Sequence, residues 1–219
     1  MTKKRRGKQE IYDGLKEKIL YHHWKPGRSI REEEVAEELD VSRTPIREAL
    51  LKLSDEGFVD IFPSKGTFVS KIDVSLLREY GYMRHVVECD VLLGMAKKQQ
   101  MVKAACEEVL LLQQMAIKRG DIKGYVKQDH AFHWQLFVLA GHGVLWPALE
   151  TFYAHTIRYH VLDFETNGYM ETSIQEHQTI LETIEKGETG PLLAALKQHH
   201  DSGFLEAEQL RQKYPDYFV

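Results

Sequence analysis

Val41-Ser42-Arg43-Thr44-Pro45-Ile46-Arg47-Glu48-Ala49-Leu50 holds both a helix start and a helix face. Pro45 brings a fixed φ to a first turn where no amide donor is missed, and Ser42 or Thr44 offers a hydroxyl to cap free N–H groups. Ile46, Ala49, Leu50 and Leu53 recur at helical spacing and form one apolar stripe, leaving Arg43, Thr44, Arg47 and Lys52 on the other side. The pattern predicts a helix from 42 or 44 to 56, stopped by Gly57.

Upstream, Val35, Ala36 and Leu39 mark a short helix, and Ile11, Leu15 and Ile19 mark another from residue 8 to about 23, closed by Lys25-Pro26-Gly27. Downstream, 58–62 and 67–72 are β-type runs separated by Pro63-Ser64-Lys65-Gly66, which predicts a hairpin, or wing. Two short helices with a tight turn between them, the second displaying Arg43, Thr44 and Arg47 from its first turns, can insert a helix N-terminus into a DNA major groove. An arginine fork there can donate to guanine O6 and N7, while Ser42 and Thr44 hydroxyls suit phosphates, which set register. Lys65 and Gly66 at the wing tip suit a minor groove, glycine permitting close backbone approach.

Pro26-Gly27, Ile30, Glu32, Val35-Ala36, the 41–50 run, Leu53, Glu56-Gly57-Phe58-Val59 and Gly66 follow one another as in the GntR family of bacterial regulators, which the chain resembles through its whole first domain. The resemblance implies that Arg43 and Arg47 read bases and that Thr44 and Gly66 lie at the DNA. Two positions depart from the pattern. Asp40 stands where the family usually has glycine, and Glu33 occupies a position that in some members is a DNA-contacting arginine.

The full chain of 219 residues, 43% hydrophobic and 28% charged, is long enough for two globular domains with separate cores. Charge is uneven. Through Ser70 there are 14 basic against 13 acidic residues, and after it 15 against 20. Most of the positive bias is Lys3, Lys4, Arg5, Arg6 and Lys8, a basic arm suited to phosphate contact or simply to solvent. No apolar segment follows that arm, and the apolar runs fall far short of the roughly 20 residues a membrane span needs, so a cytoplasmic protein is expected. Cys89 and Cys106 have neither CxxC spacing nor a disulfide framework and read as reduced thiols.

From Val74 onward the texture is helical, with breaks near Gln99, Gly120, Gly141, Gly168 and Gly187 to Gly190. The expected fold is mainly α: a winged helix-turn-helix over 1–72 with its β-hairpin wing, then an antiparallel all-α bundle over 73–219. Asp129 and His133 lie four apart on one helix and so share a face, a spacing that ordinary Asp/His pairs on amphipathic helices also have. His177 and His199 lie about equally far on either side of the Gly187 to Gly190 turn. A helical hairpin would bring them level, roughly 16 Å from the turn. One carboxylate and three imidazoles from three helices suit a divalent transition ion, Zn²⁺, Ni²⁺ or Mn²⁺.

This half is similar to the FCD sensor domain of the FadR-like branch of the GntR family: Asp129-x-x-Phe132-His133, Glu176-His177 and His199 match its metal motif in order. That resemblance implies a metal held by Asp129, His133, His177 and His199, with open positions that take the carboxylate of a small organic acid. It also implies that Arg84 meets this effector; an i,i+4 salt bridge from Arg84 to Glu88 is the other reading. The expectation is a homodimeric regulator, a repressor, whose two winged domains bind half-sites of a near-palindromic double-stranded operator. Two alternatives remain open on sequence: a helical half that is a metal-free dimerisation scaffold, or a metal-dependent hydrolase, for which neither HExxH nor a placed general base is present.

Overall fold

Lys8–Leu20 forms helix α1, Glu32–Leu39 α2 and Arg43–Asp55 α3. The computed structural model describes residues 7–167, 170–202 and 207–219. Lys3, Lys4, Arg5 and Arg6 of the expected arm and the expected break at Gly168 lie outside the described residues.

The apolar stripe of α3 becomes its buried side: Ile46, Leu50 and Leu53 are at most 1% exposed, and α3 packs on α1, whose Ile11, Leu15 and Ile19 are at most 2% exposed. Truncating a leucine so enclosed costs about 2–5 kcal/mol, because transfer free energy is lost and a cavity is left. A polar clamp reinforces the same pair of helices. Tyr12 Oη donates to Glu56 at 2.6 Å and Lys16 Nζ reaches it at 2.7 Å. Burial works to raise the Glu56 pKa, yet these two hydrogen bonds and the Lys16 charge carry it below its ordinary value. Between α2 and α3, Asp40 takes a left-handed conformation with φ +55°, the position where glycine is the unstrained residue.

The wing is a three-stranded antiparallel sheet, not a two-stranded hairpin alone. Val59–Phe62 (β2) pairs with Gly66–Val69 (β3), and β3 pairs on its other edge with Ser29–Ile30 (β1), giving the order β1-β3-β2. A two-residue strand carries no alternation to read, which is why β1 has no signature in the sequence. At the wing tip Ser64 has φ +61° and Gly66 φ +119°.

The chain divides into two compact units, Met1–Val74 with Arg211–Val219, and Ser75–Leu210. The sequence division at 72/73 assigned everything beyond to the helical domain. Instead the last residues return to the winged unit: Ile72 N–H donates to the Tyr217 carbonyl at 2.8 Å, Val219 N–H donates to the Ile72 carbonyl at 3.2 Å, and Phe218 is buried.

The second unit is helical among its described residues: α4 (Val74–Lys97, starting at the boundary), α5 (Lys103–Lys118), α6 (Ile122–Leu139), α7 (Trp146–Asn167), α8 (Met170–Lys186) and α9 (Thr189–Ser202), with α10 (Ala207–Lys213) leading back to the first unit. Its core gathers Leu92, Met95, Val102, Phe132, Leu136, Ile180, Ile184, Leu192 and Leu196. Two polar contacts lock the turns. The Glu185 carboxylate accepts from Val102 and Lys103 N–H at 2.9 and 2.8 Å, capping the start of α5, and Asp121 caps α6 through Gly124 N–H at 2.8 Å. Gly187 has φ +72° and an added Cβ would lie 3.0 Å from Gln99, so the turn between α8 and α9 needs glycine there. That turn sets α8 against α9.

Candidate DNA interface and metal centre

In the winged unit, α3 turns Arg43, Thr44 and Arg47 to solvent at its first turns, with Ser42 exposed just ahead at the N-cap position. The Ser42 side chain makes no capping hydrogen bond, contrary to one reading of its place at the helix start. Lys65 and Gly66 are exposed at the wing tip. Arg43 is not isolated: its Nη1 lies 2.8 Å from Glu33 and its Nη2 3.4 Å from Glu32, both on α2.

In the helical unit, His133 on α6, His177 on α8 and His199 on α9 converge, their ligand nitrogens all within 4.8 Å of one another and the residues buried. His133 Nε2 and His199 Nε2 are 3.3 Å apart. His177 Nε2 is 3.4 Å from Asp129 Oδ1 and has no hydrogen-bond partner among the described residues. Each imidazole has a polar group at its outer nitrogen. Gln113 Oε1 sits 3.2 Å from His177 Nδ1 and Glu176 Oε2 sits 3.0 Å from His199 Nδ1, while the Glu88 carboxylate lies 3.3 Å from His133 Nδ1 without a hydrogen bond of good geometry. An acceptor at Nδ1 draws the ring proton there and leaves the Nε2 lone pair inward, the tautomer a metal requires. Burial pushes His133 down to about 4 and His177 well below its ordinary value, so both rings are neutral near pH 7. Ring nitrogens that turn their lone pairs inward cannot hydrogen-bond to each other. The donor set therefore fits a cation.

Asp129 stands beside this triad and is tied to Tyr153, whose Oη donates to Oδ2 at 2.6 Å. Burial opposes its charge, but His177, His133 and Arg84 hold its pKa well below the usual carboxylate range. Arg84 makes the i,i+4 salt bridge to Glu88 that was one of its two readings. Its Nε donates to Glu88 at 2.5 Å, while its Nη2 is buried without a hydrogen-bond partner among the described residues. Arg84, Asp129, Tyr153 and His199 line one cavity of about 650 Å³ including its mouth, walled by Tyr80, Phe152 and Phe164. His200, next to His199, turns instead to Glu88 at 3.2 Å and to the Leu196 carbonyl at 2.7 Å. His130 accepts from Trp146 Nε1 at 2.9 Å.

Residues 8–69 match the family model described as bacterial regulatory proteins of the gntR family, and residues 82–202 match the FCD domain. The chain belongs to the GntR family. The HTH-type transcriptional repressor RspR of Escherichia coli strain K12 is 29% identical to this GntR-family chain over 213 residues, covering 96% of it and 92% of the relative. An uncharacterized HTH-type transcriptional regulator in an unstable DNA locus of Streptomyces ambofaciens is 29% identical over 219 residues, covering 100% of the chain and 92% of the relative. Among solved structures, E. coli McbR/YncC has a TM-score of 0.71 at 20% identity, covering 94% of this chain and 98% of that one. A putative GntR regulator from Rhodococcus sp. RHA1 has a TM-score of 0.72 at 21% identity over the same shares. These likenesses share the fold. The chain is thus a DNA-binding transcription regulator and not an enzyme, which sets the hydrolase alternative aside. No helix among the described residues is long and apolar enough to cross a membrane.

The sequence reading did not single out Gln113, and it met Glu88 only as a salt-bridge partner. Glu176 stood beside His177 in the motif, but its pairing with His199 joins α8 to α9 and has no spacing of its own. Gln113 comes from α5 and left no signal at all.

Proposed function

We propose that this GntR-family regulator is a cytoplasmic repressor that binds a near-palindromic operator as a homodimer and responds to a small organic acid at a metal-assisted site. Arg43 and Arg47 read base edges, Ser42 and Thr44 set register on phosphates, and Lys65 and Gly66 approach the minor groove. Repression is favoured by the likeness to a protein described as a repressor. His133, His177 and His199, with Asp129 beside them, would hold a divalent transition ion, Zn²⁺, Ni²⁺ or Mn²⁺. Such an ion supplies a Lewis-acidic position for a carboxylate oxygen.

The chain's own groups account for recognition of the acid. Arg84 Nη2, buried and unsatisfied, lacks an acceptor in the same cavity that His199 lines, and a carboxylate provides one at the strength of a charge-assisted bond. Glu88 on the Arg84 Nε holds the guanidinium in place, and the rings of Tyr80, Phe152 and Phe164 keep bulk water from the acid's body. The observation that carries the reading is the convergence of three buried imidazoles, two of them with a polar partner at the outer nitrogen. Native mass spectrometry of the full-length protein tests it. The expected species is a dimer with one transition ion per chain and, where the acid co-purifies, its mass as well. A chain that stays apo with Zn²⁺, Ni²⁺ and Mn²⁺ in turn would leave a metal-free helical scaffold in its place.

A further inference from the structure

Glu33 has no part in the DNA reading above, yet it touches the residue on which that reading most depends. The first turn of α2 holds Glu32, Glu33 and Glu34. A helix N-terminus favours acidic residues, which accounts for their presence but not for their partners. Glu34 turns to Arg31 at 3.0 Å, within its own helix end. Glu33 and Glu32 instead cross to α3 and take opposite Nη atoms of Arg43, at 2.8 and 3.4 Å. Arg47, one turn further along α3, has no ion pair among the described residues. The Arg43 and Glu33 side chains are 61% and 56% exposed, and pairs so exposed add little to stability. The pairing is therefore poorly explained as a device that holds the fold together.

We propose that Glu33, with Glu32 behind it, is a positioning and specificity-determining residue for Arg43 on DNA. This rests on the reading of Arg43 as a base reader. A guanidinium has five N–H donors in a rigid fork. One N–H goes to Glu32 and Nη1 lies in ion-pair contact with Glu33, which leaves donors of the fork free for the O6 and N7 acceptors of a guanine. The two carboxylates act in two ways. They hold a long side chain near one orientation before DNA arrives, which reduces the rotamer freedom lost on binding. They also place negative charge beside the phosphate backbone, which weakens binding to any DNA irrespective of sequence. Together these lower affinity for random DNA and sharpen the choice at the base that Arg43 meets.

The test uses the full-length protein and a duplex site selected by it from a random library, followed by binding to that site, to single-base variants and to random duplex. Glu33→Gln is expected to tighten random-duplex binding and to cut the ratio of selected to random affinity by about 2–5-fold, the scale of one exposed charge pair. The lost base preference falls at the position relaxed by Arg43→Ala, and the double variant Arg43→Ala/Glu33→Gln shows no further loss there. The thermal midpoint of Glu33→Gln stays at the wild-type value, which separates positioning from folding. Unchanged preference at every position in Glu33→Gln, with Arg43→Ala relaxing one, would overturn this proposal alone. Unchanged preference in Arg43→Ala would overturn the base-reading role beneath it as well.

Discussion

The winged unit carries its candidate functional groups on the outside, and the helical unit carries its own inside. Arg43, Thr44, Arg47 and Lys65 are exposed over a core that does not need them, whereas His133, His177 and His199 sit where an apolar core would otherwise be. An exposed site is nearly free of stability consequences. A buried cluster of neutral imidazoles is not, because each ring must be desolvated and matched with a partner. The first site can change with the operator at little cost to folding, while the second would tie the proposed sensing to the stability of its own bundle.

The largest expected difference between the units follows from that contrast. Arg43→Ala and Arg47→Ala should each remove about 1–3 kcal/mol of base discrimination per half-site, with selectivity in a gel shift collapsing in the double variant. Their denaturation midpoints should match wild type. His177→Gln should do the reverse, leaving DNA binding by the unliganded protein intact while abolishing stabilisation by metal. In wild type that stabilisation is about 3–4 kcal/mol at 100 to 1,000 times the dissociation constant, read as a calorimetric shift that chelator reverses.

The pH dependence sharpens the comparison further. In metal-free protein, His133 takes up its proton only near pH 4, well below the 6.5 of an unconstrained imidazole, because of burial. The unfolded chain then binds more protons between these values, so helical-unit stability is fully present above about pH 6.5 and falls as pH drops toward 4. Glu56 in the winged unit is lowered from 4.5, so its contribution persists to more acid pH and fades only below that value. Amide exchange followed by unit from pH 7 to 4 should show the helical unit loosening first.

The smallest effects concern backbone geometry. Asp40→Gly relieves a left-handed residue in the winged unit and should stabilise it by about 0.5–1 kcal/mol, whereas Gly187→Ala imposes one in the helical unit and should cost about 1–2 kcal/mol. Urea midpoints measure both.

The same contrast explains what was legible in the sequence. The DNA-reading helix is one continuous run whose stripe and start signals are local, so Arg43, Arg47 and the wing could be read directly. The histidines left a weaker trace. Asp129 and His133 share a helical spacing, and His177 and His199 are symmetric about a glycine turn, so a hairpin brings them level. Gln113 and Glu88 reach the same point from α5 and α4, where no spacing relates them to the triad. The return of Phe218 to Ile72 is a single long-range pairing at the chain end. The contact of Glu33 with Arg43 joins two helices whose identities were clear but whose mutual rotation was not.

The account is tested most directly by operator binding of the metal-loaded protein, measured by fluorescence anisotropy across a panel of small carboxylic acids. An acid that couples the two sites should shift operator affinity by about 5–150-fold in wild type. The shift should vanish in His177→Gln and in Arg84→Ala while both still bind the operator. An equal shift in all three proteins would contradict the metal-assisted site.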